Sequence, residues 1–334
     1  MRPDLSIVIP VYNEAPNLEE LHREIVAALD RSPYSFEVLF IDDGSTDDSF
    51  ERLRRIHARD RRVRVIQFRR NFGQTAGFAA GFAEARGRLI VTMDGDRQND
   101  PADIPALVAT LEGQDLDVVC GWRKARKDPF FSRRLPSSLA NKLISWATGV
   151  RLNDYGCSLK VYRAEVVKPL HIYGELHRFL PALVSEVGAR IAEQPVNHRP
   201  RTQGQSKYGI SRTVRVILDL VTVKFLVSYA TRPLQVFGLL GAAMGLTGFV
   251  ICLYIAFLKY IGRVGIGDWK LLLGILLIFT GVQLVTLGLL AEMQARTYLE
   301  SQGKRVYVIR QRLDAFDAGG ELPHAAVDRV TAGG

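Results

Sequence analysis

The sequence predicts an α/β protein: a doubly wound, Rossmann-like sheet domain, then an interfacial amphipathic helix and a two-helix transmembrane hairpin. Three observations carry this. Short β-rich runs alternate with helical patterns through residues 1–210, the rhythm of a parallel sheet whose strands are joined by crossover helices. Those runs are near-continuously apolar, as strands covered on both faces are. Residues 234–258 and 271–291 contain no Asp, Glu, Lys or Arg, and a membrane helix needs about 20 apolar residues.

Taken in order, Leu5–Val11, Phe36–Asp42, Val63–Phe68, 89–94 and 117–121 read as strands of one domain spanning 1–210. Across 211–233 the pattern turns amphipathic: Ser211, Arg212, Arg215, Asp219 and Thr222 fall within about 100° of one helical face, with Val, Ile, Leu and Phe around the rest. This predicts a helix lying in the membrane interface, ended by Arg232-Pro233. Residues 234–292 hold the two spans. Glycines at 238, 241, 245 and 248, and at 274, 281 and 288, recur at helical spacing and would permit close helix packing or self-association into a homo-oligomer. Arg199, Arg201, Lys207, Arg212, Arg215, Lys224 and Arg232 precede the hairpin and Arg296, Lys304, Arg305, Arg310 and Arg312 follow it. Only Lys259, Arg263 and Lys270 lie in the connecting loop. The asymmetry predicts that the globular domain and both termini face the cytoplasm. Residues 293–334 form a cytoplasmic tail, rich in Ala, Gly and Asp beyond Leu313 and expected to be disordered there. The chain enters its first strand without a basic-then-apolar leader, so no cleaved signal peptide is expected.

Charge narrows the function. Among 334 residues, 44 are basic and 35 acidic, a net charge of +9. That suits nucleic acid, an anionic bilayer or an anionic substrate, and the spans favour the last two; no nucleic-acid-binding motif is present. Three cysteines, Cys120, Cys157 and Cys252, are too few and too scattered for a disulfide framework or a zinc site, which fits a reducing compartment. No Gly-x-Gly-x-x-Gly follows the first strand, which argues against a dinucleotide-dependent dehydrogenase.

In such sheets ligands collect at the carboxyl ends of the strands. Three strands end there in polar clusters: Pro10-Val-Tyr-Asn-Glu14, Asp42-Asp-Gly-Ser-Thr-Asp47 and Asp94-Gly-Asp-Arg-Gln98. Asp94 and Asp96 are hard oxygen ligands one residue apart, suited to Mg²⁺ or Mn²⁺ bridging a diphosphate, and Gln98 adds a neutral oxygen. Alone, Asp-Gly-Asp is an ordinary turn. Asp42 and Asp43 serve equally as an N-cap cluster for the helix that follows, and Pro10, Tyr12 and Glu14 as a strand-to-helix turn. Convergence of all three on one sheet edge is what makes them specific. The six histidines are scattered and read as surface or structural residues.

These clusters, with Gly121-Trp-Arg123 and Arg201-Thr-Gln-Gly-Gln-Ser-Lys207, resemble the motif series of family 2 glycosyltransferases of the GT-A fold. The two-span hairpin resembles the polyprenyl-phosphate glycosyltransferases, relatives of dolichol-phosphate mannose synthase. Asn71-Phe-Gly-Gln74 and Asp154-Tyr-Gly-Cys-Ser-Leu-Lys160 are most similar to the bacterial undecaprenyl-phosphate branch, in particular its 4-deoxy-4-formamido-L-arabinose transferase. The resemblance implies that Pro10, Tyr12, Glu14, Asp42, Asp43 and Asp94 contact the nucleotide-sugar and that Asp94, Asp96 and Gln98 hold the metal. Arg123, Arg201 and Lys207 would neutralise phosphates. Arg133 or Arg134, with Ser137, would meet the acceptor phosphate, and Asp154, Asp96 and Arg123 would be catalytic.

The residue chemistry agrees. A lipid monophosphate, with a second pKa near 6, is mostly dianionic at neutral pH and attacks an anomeric carbon without a strong general base. The site has to stabilise the leaving nucleoside diphosphate and hold the nucleophile in line. The expectation is an inverting transferase at the bacterial inner membrane, moving a sugar from a UDP-linked donor to undecaprenyl phosphate. Two other readings stand beside it. A processive polysaccharide synthase would need a Gln-x-x-Arg-Trp run, which is missing, and more spans. A non-catalytic basic membrane-binding module would leave the carboxylate clusters idle.

Overall fold

The computed structural model describes residues 2–124, 144–145, 149–174, 176–199, 279, 283, 286, 290, 293–294, 297 and 306–314. The chain divides into two compact units, with the described residues from 2 to 199 and 306 to 314 in the first and those from 279 to 297 in the second.

The first unit is an eight-stranded sheet: β1 (Leu5–Val11), β2 (Phe36–Asp42), β3 (Val63–Phe68), β4 (Leu89–Thr92), β5 (Val118–Trp122), β6 (Lys160–Arg163), β7 (Ile191–Pro195) and β8 (Ile309–Leu313). Their order across the sheet is β7-β5-β6-β4-β1-β2-β3-β8. β1 pairs in parallel with β2 and β4, and β2 with β3. Here the expected parallel sheet needs correction. β6 is inserted antiparallel between β4 and β5, and β8 runs antiparallel along β3. The sheet is mixed.

One face packs on α1 (Ala15–Leu29), α2 (Ser49–Arg59) and α4 (Ile104–Gly113). Leu5, Ile7, Ile9 and Val11 of β1 alternate into a core shared with Leu18, Leu21 and Ile25, spaced three and four apart on α1, and with Leu107, Val108 and Leu111 of α4. Burying each such side chain is worth roughly 1.5–3 kcal/mol. Pro16, in the first turn of α1, forfeits no hydrogen bond.

α3 (Gln74–Glu84) covers the other face at unusually short range. A Cβ at Gly81 would lie 2.1 Å from Val8 Cγ1, and one at Gly77 2.9 Å from Pro10 Cβ. Only glycine permits this approach, which brings the start of α3 over the end of β1. Two short helices, α5 (Ala164–Val167) and α6 (Leu180–Glu186), complete the layer order.

The strand at Ile309–Leu313 was not anticipated by the sequence pattern. It is anchored by Tyr307, whose ring stacks on Phe68 with centroids 4.9 Å apart, by Arg312 on Glu84 (2.9 Å), and by an ion pair between Asp314 and the buried Arg64. Arg64 also meets Glu37 at 3.1 Å.

The amphipathic helix 211–233 and the span 234–258 lie outside the described residues. Of the span 271–291, Phe279, Gln283, Thr286 and Leu290 are described; all are helical, and Phe279 and Leu290 are exposed. Among the described residues no helix is long and apolar enough to cross a membrane.

Candidate active site

Register places the three predicted clusters on one edge. Val11 at the end of β1 pairs with Asp42 at the end of β2, and Val8 pairs with Thr92, the last residue of β4. The three loops are then tied together. Asp43 N–H donates to Val11 O (2.8 Å), Thr46 N–H to Asn13 Oδ1 (2.8 Å), and Glu14 N–H to Ser49 Oγ (3.0 Å). Gly95 sits where a Cβ would lie 3.4 Å from Pro10 O, so the Asp94-Gly-Asp96 turn rests on the end of β1.

Asp42 is fully buried; Oδ1 accepts from Ser45 N–H (3.1 Å) and Oδ2 from Gln67 Nε2 (3.1 Å). Asp43 accepts from the backbone N–H groups of Phe72 (2.7 Å) and Gly73 (2.8 Å). Burial nevertheless pushes its carboxyl up to about 6, with the charge of Asp42 adding to the rise against those two hydrogen bonds. Gly44 between these residues and Ser45 has φ +68°, and a Cβ there would lie 2.4 Å from Arg70 C.

Beyond β4, Asp94 Oδ1 accepts from Gln74 Nε2 (2.7 Å), and the Asp94 N–H donates to Asn99 Oδ1 (3.3 Å). Asp96 is buried and accepts from Gln98 N–H (3.1 Å). Arg97 takes a left-handed conformation, φ 63°, and its guanidinium is held by Glu24 at 2.6 Å. Glu24 also binds Arg199 (2.9 Å), which reaches Asp100 (2.7 Å) and donates its backbone N–H to Gln98 O (3.0 Å). The chain approaching residue 200 is thereby pinned to the Asp94–Gln98 turn.

Arg123 and Asp154 are brought together. Nε donates to Oδ2 (2.7 Å) and Nη2 to Oδ1 (2.8 Å), a bidentate pair with both side chains largely buried. Glu193 on β7 orients Asp154 by accepting the N–H of Asp154 (2.8 Å) and of Asn153 (2.9 Å). Burial opposes the charge on Arg123, but the Asp154 carboxylate outweighs it and the guanidinium pKa is raised; Asp94 adds to the rise.

Pro10, Tyr12, Glu14, Asp42, Asp43, Asp94, Asp96 and Gln98 therefore share one edge, with Arg123 and Asp154 beside them across β6. Arg133, Arg134, Ser137, Arg201 and Lys207 lie outside the described residues. Sequence reasoning passed over Asn99, Glu193 and the pair Thr75–His177, where Thr75 Oγ1 meets His177 Nδ1 at 2.7 Å. It noticed Gln74 only as part of Asn71-Phe-Gly-Gln74.

Asp94 and Asp96 fit a divalent cation in their chemistry. Among the described residues no group of three or more His, Cys, Asp or Glu could cage a metal. Mg²⁺ and its relatives in phosphate-transfer sites use one or two carboxylates and take their other ligands from substrate phosphates and water.

The model of glycosyl transferase family 2 matches residues 6–170. Over 315 residues the chain is 47% identical to the dodecaprenyl-phosphate galacturonate synthase of Rhizobium johnstonii, covering 93% of each. It is 39% identical to the undecaprenyl-phosphate 4-deoxy-4-formamido-L-arabinose transferase of Shewanella sediminis, covering 92% of each. Among solved structures, mannosyl-3-phosphoglycerate synthase from Rubrobacter xylanophilus superposes with a TM-score of 0.55 at 16% identity, over 67% of this chain and 74% of that one. Glucosyl-3-phosphoglycerate synthase from Mycobacterium tuberculosis, crystallised with Mn²⁺ and UDP-glucose, gives 0.51 at 17%, over 67% and 78%. At these identities the likeness is one of fold, the GT-A arrangement.

Proposed function

The chain belongs to glycosyl transferase family 2, and from that premise we propose that it transfers a sugar from a UDP-linked donor to a polyprenyl phosphate at the cytoplasmic face of a bacterial membrane. The observation that carries the reading is the acidic edge: Asp42 and Asp43 at the end of β2 and Asp94 and Asp96 beyond the end of β4, the two strands that flank β1. It is supported by likeness to polyprenyl-phosphate sugar transferases over nearly the whole chain.

Asp94 and Asp96, with Gln98, would hold Mg²⁺ or Mn²⁺, which when bound neutralises charge on the leaving diphosphate. Pro10, Tyr12, Glu14, Asp42 and Asp43 hold the nucleotide. The Gln74 amide and the Gln98 N–H fix the carboxylates of Asp94 and Asp96 in orientation. Asp154 holds the Arg123 guanidinium in place beside the same edge; Arg201 and Lys207 add positive charge toward the phosphates. Arg133, Arg134 and Ser137 receive the acceptor phosphate, whose dianion attacks the anomeric carbon from the face opposite the leaving group and inverts it. Residues 211–233 lie in the interface, 234–258 and 271–291 span the bilayer, and the glycine faces of the spans allow a homo-oligomer.

The test is direct. Purified protein is incubated with undecaprenyl phosphate, a divalent cation and a panel of nucleotide-sugars, and lipid products are identified by mass spectrometry. A lipid-phosphate-sugar that vanishes with chelator is expected. Hydrolysis of donors without any lipid-linked product would overturn the reading.

A further inference from the structure

β6 opens with a lysine in an unusual position. Lys160 is only 3% exposed, and among the described residues it makes no ion pair; Nζ donates one hydrogen bond, to Tyr155 O at 3.2 Å. An ammonium carries three donors, and burying a charge without an opposite charge is costly. Its titratable neighbours supply none. Cys120 and Cys157 are pushed up to about 12 and about 11 by burial, so both thiols stay protonated. His177 is driven down to about 3, by burial first and then by the charges of Arg178 and Lys160, so it is neutral. Burial also raises the pKa of the Tyr162 phenol, which stays neutral. The carboxylate of Asp154 is taken by Arg123, and that of Glu193, in register with Lys160 on the far side of Cys120, accepts from Asn153 and the Asp154 N–H.

Position says where the missing anion comes from. β6 runs antiparallel to β4 and β5, so its first residue lies at the edge where they end. Lys160 pairs with Thr92, two residues before Asp94, and with Cys120, three before Arg123. Its hydrogen-bond acceptor, Tyr155, is the residue after Asp154. Lys160 thus sits inside the ring of Asp94, Arg123 and Asp154, deeper in the sheet than the Asp94–Asp96 turn that would face a diphosphate. The part of a donor that projects inward from its diphosphate is the sugar.

We infer that Lys160 is the specificity residue for an anionic sugar, and that the donor carries a uronic acid whose carboxylate pairs with Nζ. This rests on the sugar-transfer reading above. The experiment compares UDP-galacturonate with UDP-galactose, which differ at the C6 carboxylate, in wild type, Lys160→Met and Lys160→Arg. Transfer to undecaprenyl phosphate is read as kcat/KM. Donor binding without acceptor is read by calorimetry, and thermal unfolding checks the fold. Wild type should favour the uronate about 10²-fold, the size of one charge-assisted hydrogen bond. Lys160→Met should lose about that factor for the uronate and less than threefold for galactose, with UDP affinity unchanged; Lys160→Arg should recover part of the preference. Equal losses for both donors would make the lysine structural, and a parallel loss of UDP affinity would assign it to the diphosphate; either overturns the inference. So would a wild type that binds both donors alike, which also decides the matter if the methionine variant does not fold. Calorimetric discrimination without any lipid product would sink the acceptor reading and leave Lys160 standing.

Discussion

The two halves of the active edge treat their carboxylates in opposite ways. On the β1–β2–β4 side, Asp42, Asp43 and Asp94 are held by neutral donors, backbone N–H groups and glutamine amides, and among the described residues none is in an ion pair. On the β5–β6–β7 side, Asp154 is clasped by Arg123; Asp100, below the β4 turn, is likewise clasped by Arg199. A carboxylate fixed by neutral groups has no countercharge from the protein, whereas one paired with arginine is already neutralised. Asp154 and Lys160 sharpen the lesson: the acid there is compensated internally, and among the described residues the base is not.

The largest effect should come from breaking the first half. Asp94→Asn or Asp96→Asn should lower transfer by about 10³-fold or more while leaving the unfolding midpoint near that of wild type, because volume is conserved and among the described residues Asp94 is in no ion pair. Retained turnover in chelator would sink the metal assignment. Asp154→Ala should do the reverse in kind: stranding Arg123 in a largely buried site should cost about 3–5 kcal/mol of stability, measured by denaturant unfolding in detergent. A loss below about 1 kcal/mol would mean that the two halves do not differ as argued. Gly44→Ala forces a side chain into a left-handed turn against the Arg70 backbone and should cost about 1–3 kcal/mol, displacing the Asp42–Asp43 loop and raising the donor KM.

The last effect is one of pH. Asp43 has a folded pKa raised to about 6 from 3.8, so its contribution to stability is full below about pH 4 and is lost as pH rises through 6. His177 has a folded pKa depressed to about 3 from 6.5, so its contribution is full above 6.5 and is lost as pH falls toward 3. Measured as Tm relative to wild type, Asp43→Asn should gain as pH is raised from 4 to 7, and His177→Asn should gain as it is lowered over the same range. A slope of the opposite sign in either variant would contradict that residue's environment.

This contrast also explains how much could be read in advance. β1, β2 and β4 are buried along nearly their whole length and appear in the sequence as apolar runs, and the polar clusters follow each run directly. β6 is Lys-Val-Tyr-Arg, β7 is only partly buried, and β8, Ile-Arg-Gln-Arg-Leu, lies half out of the core at an edge. None has an apolar signature. The site divides in the same way. Asp42, Asp94 and Asp96 stand in local motifs, but the partners that orient them or their neighbours come from afar: Gln74 to Asp94, Glu193 to Asp154, Thr75 to His177. Such pairs are set by tertiary packing, which no window of residues encodes. The mixed character of the sheet was hidden for the same reason, since the inserted β6 follows β5 in the chain yet pairs with β4.

The return of β8 to the sheet has a consequence for how the protein is made. Arg64 and Asp314 are 250 residues apart, so the ribosome finishes β3 long before its last neighbour exists. At about 5–20 residues per second, synthesis of residues 200–308 alone takes on the order of ten seconds, during which β3 is an open edge with unpaired N–H and C=O groups. Such edges recruit strands from other nascent chains. The charged residues of β8 and its flank, Arg310, Arg312 and Asp314, then act as a late seal on that edge. Chains cut short before residue 309 should leave the ribosome with the acidic edge already assembled and with β3 still unsealed, prone to aggregate.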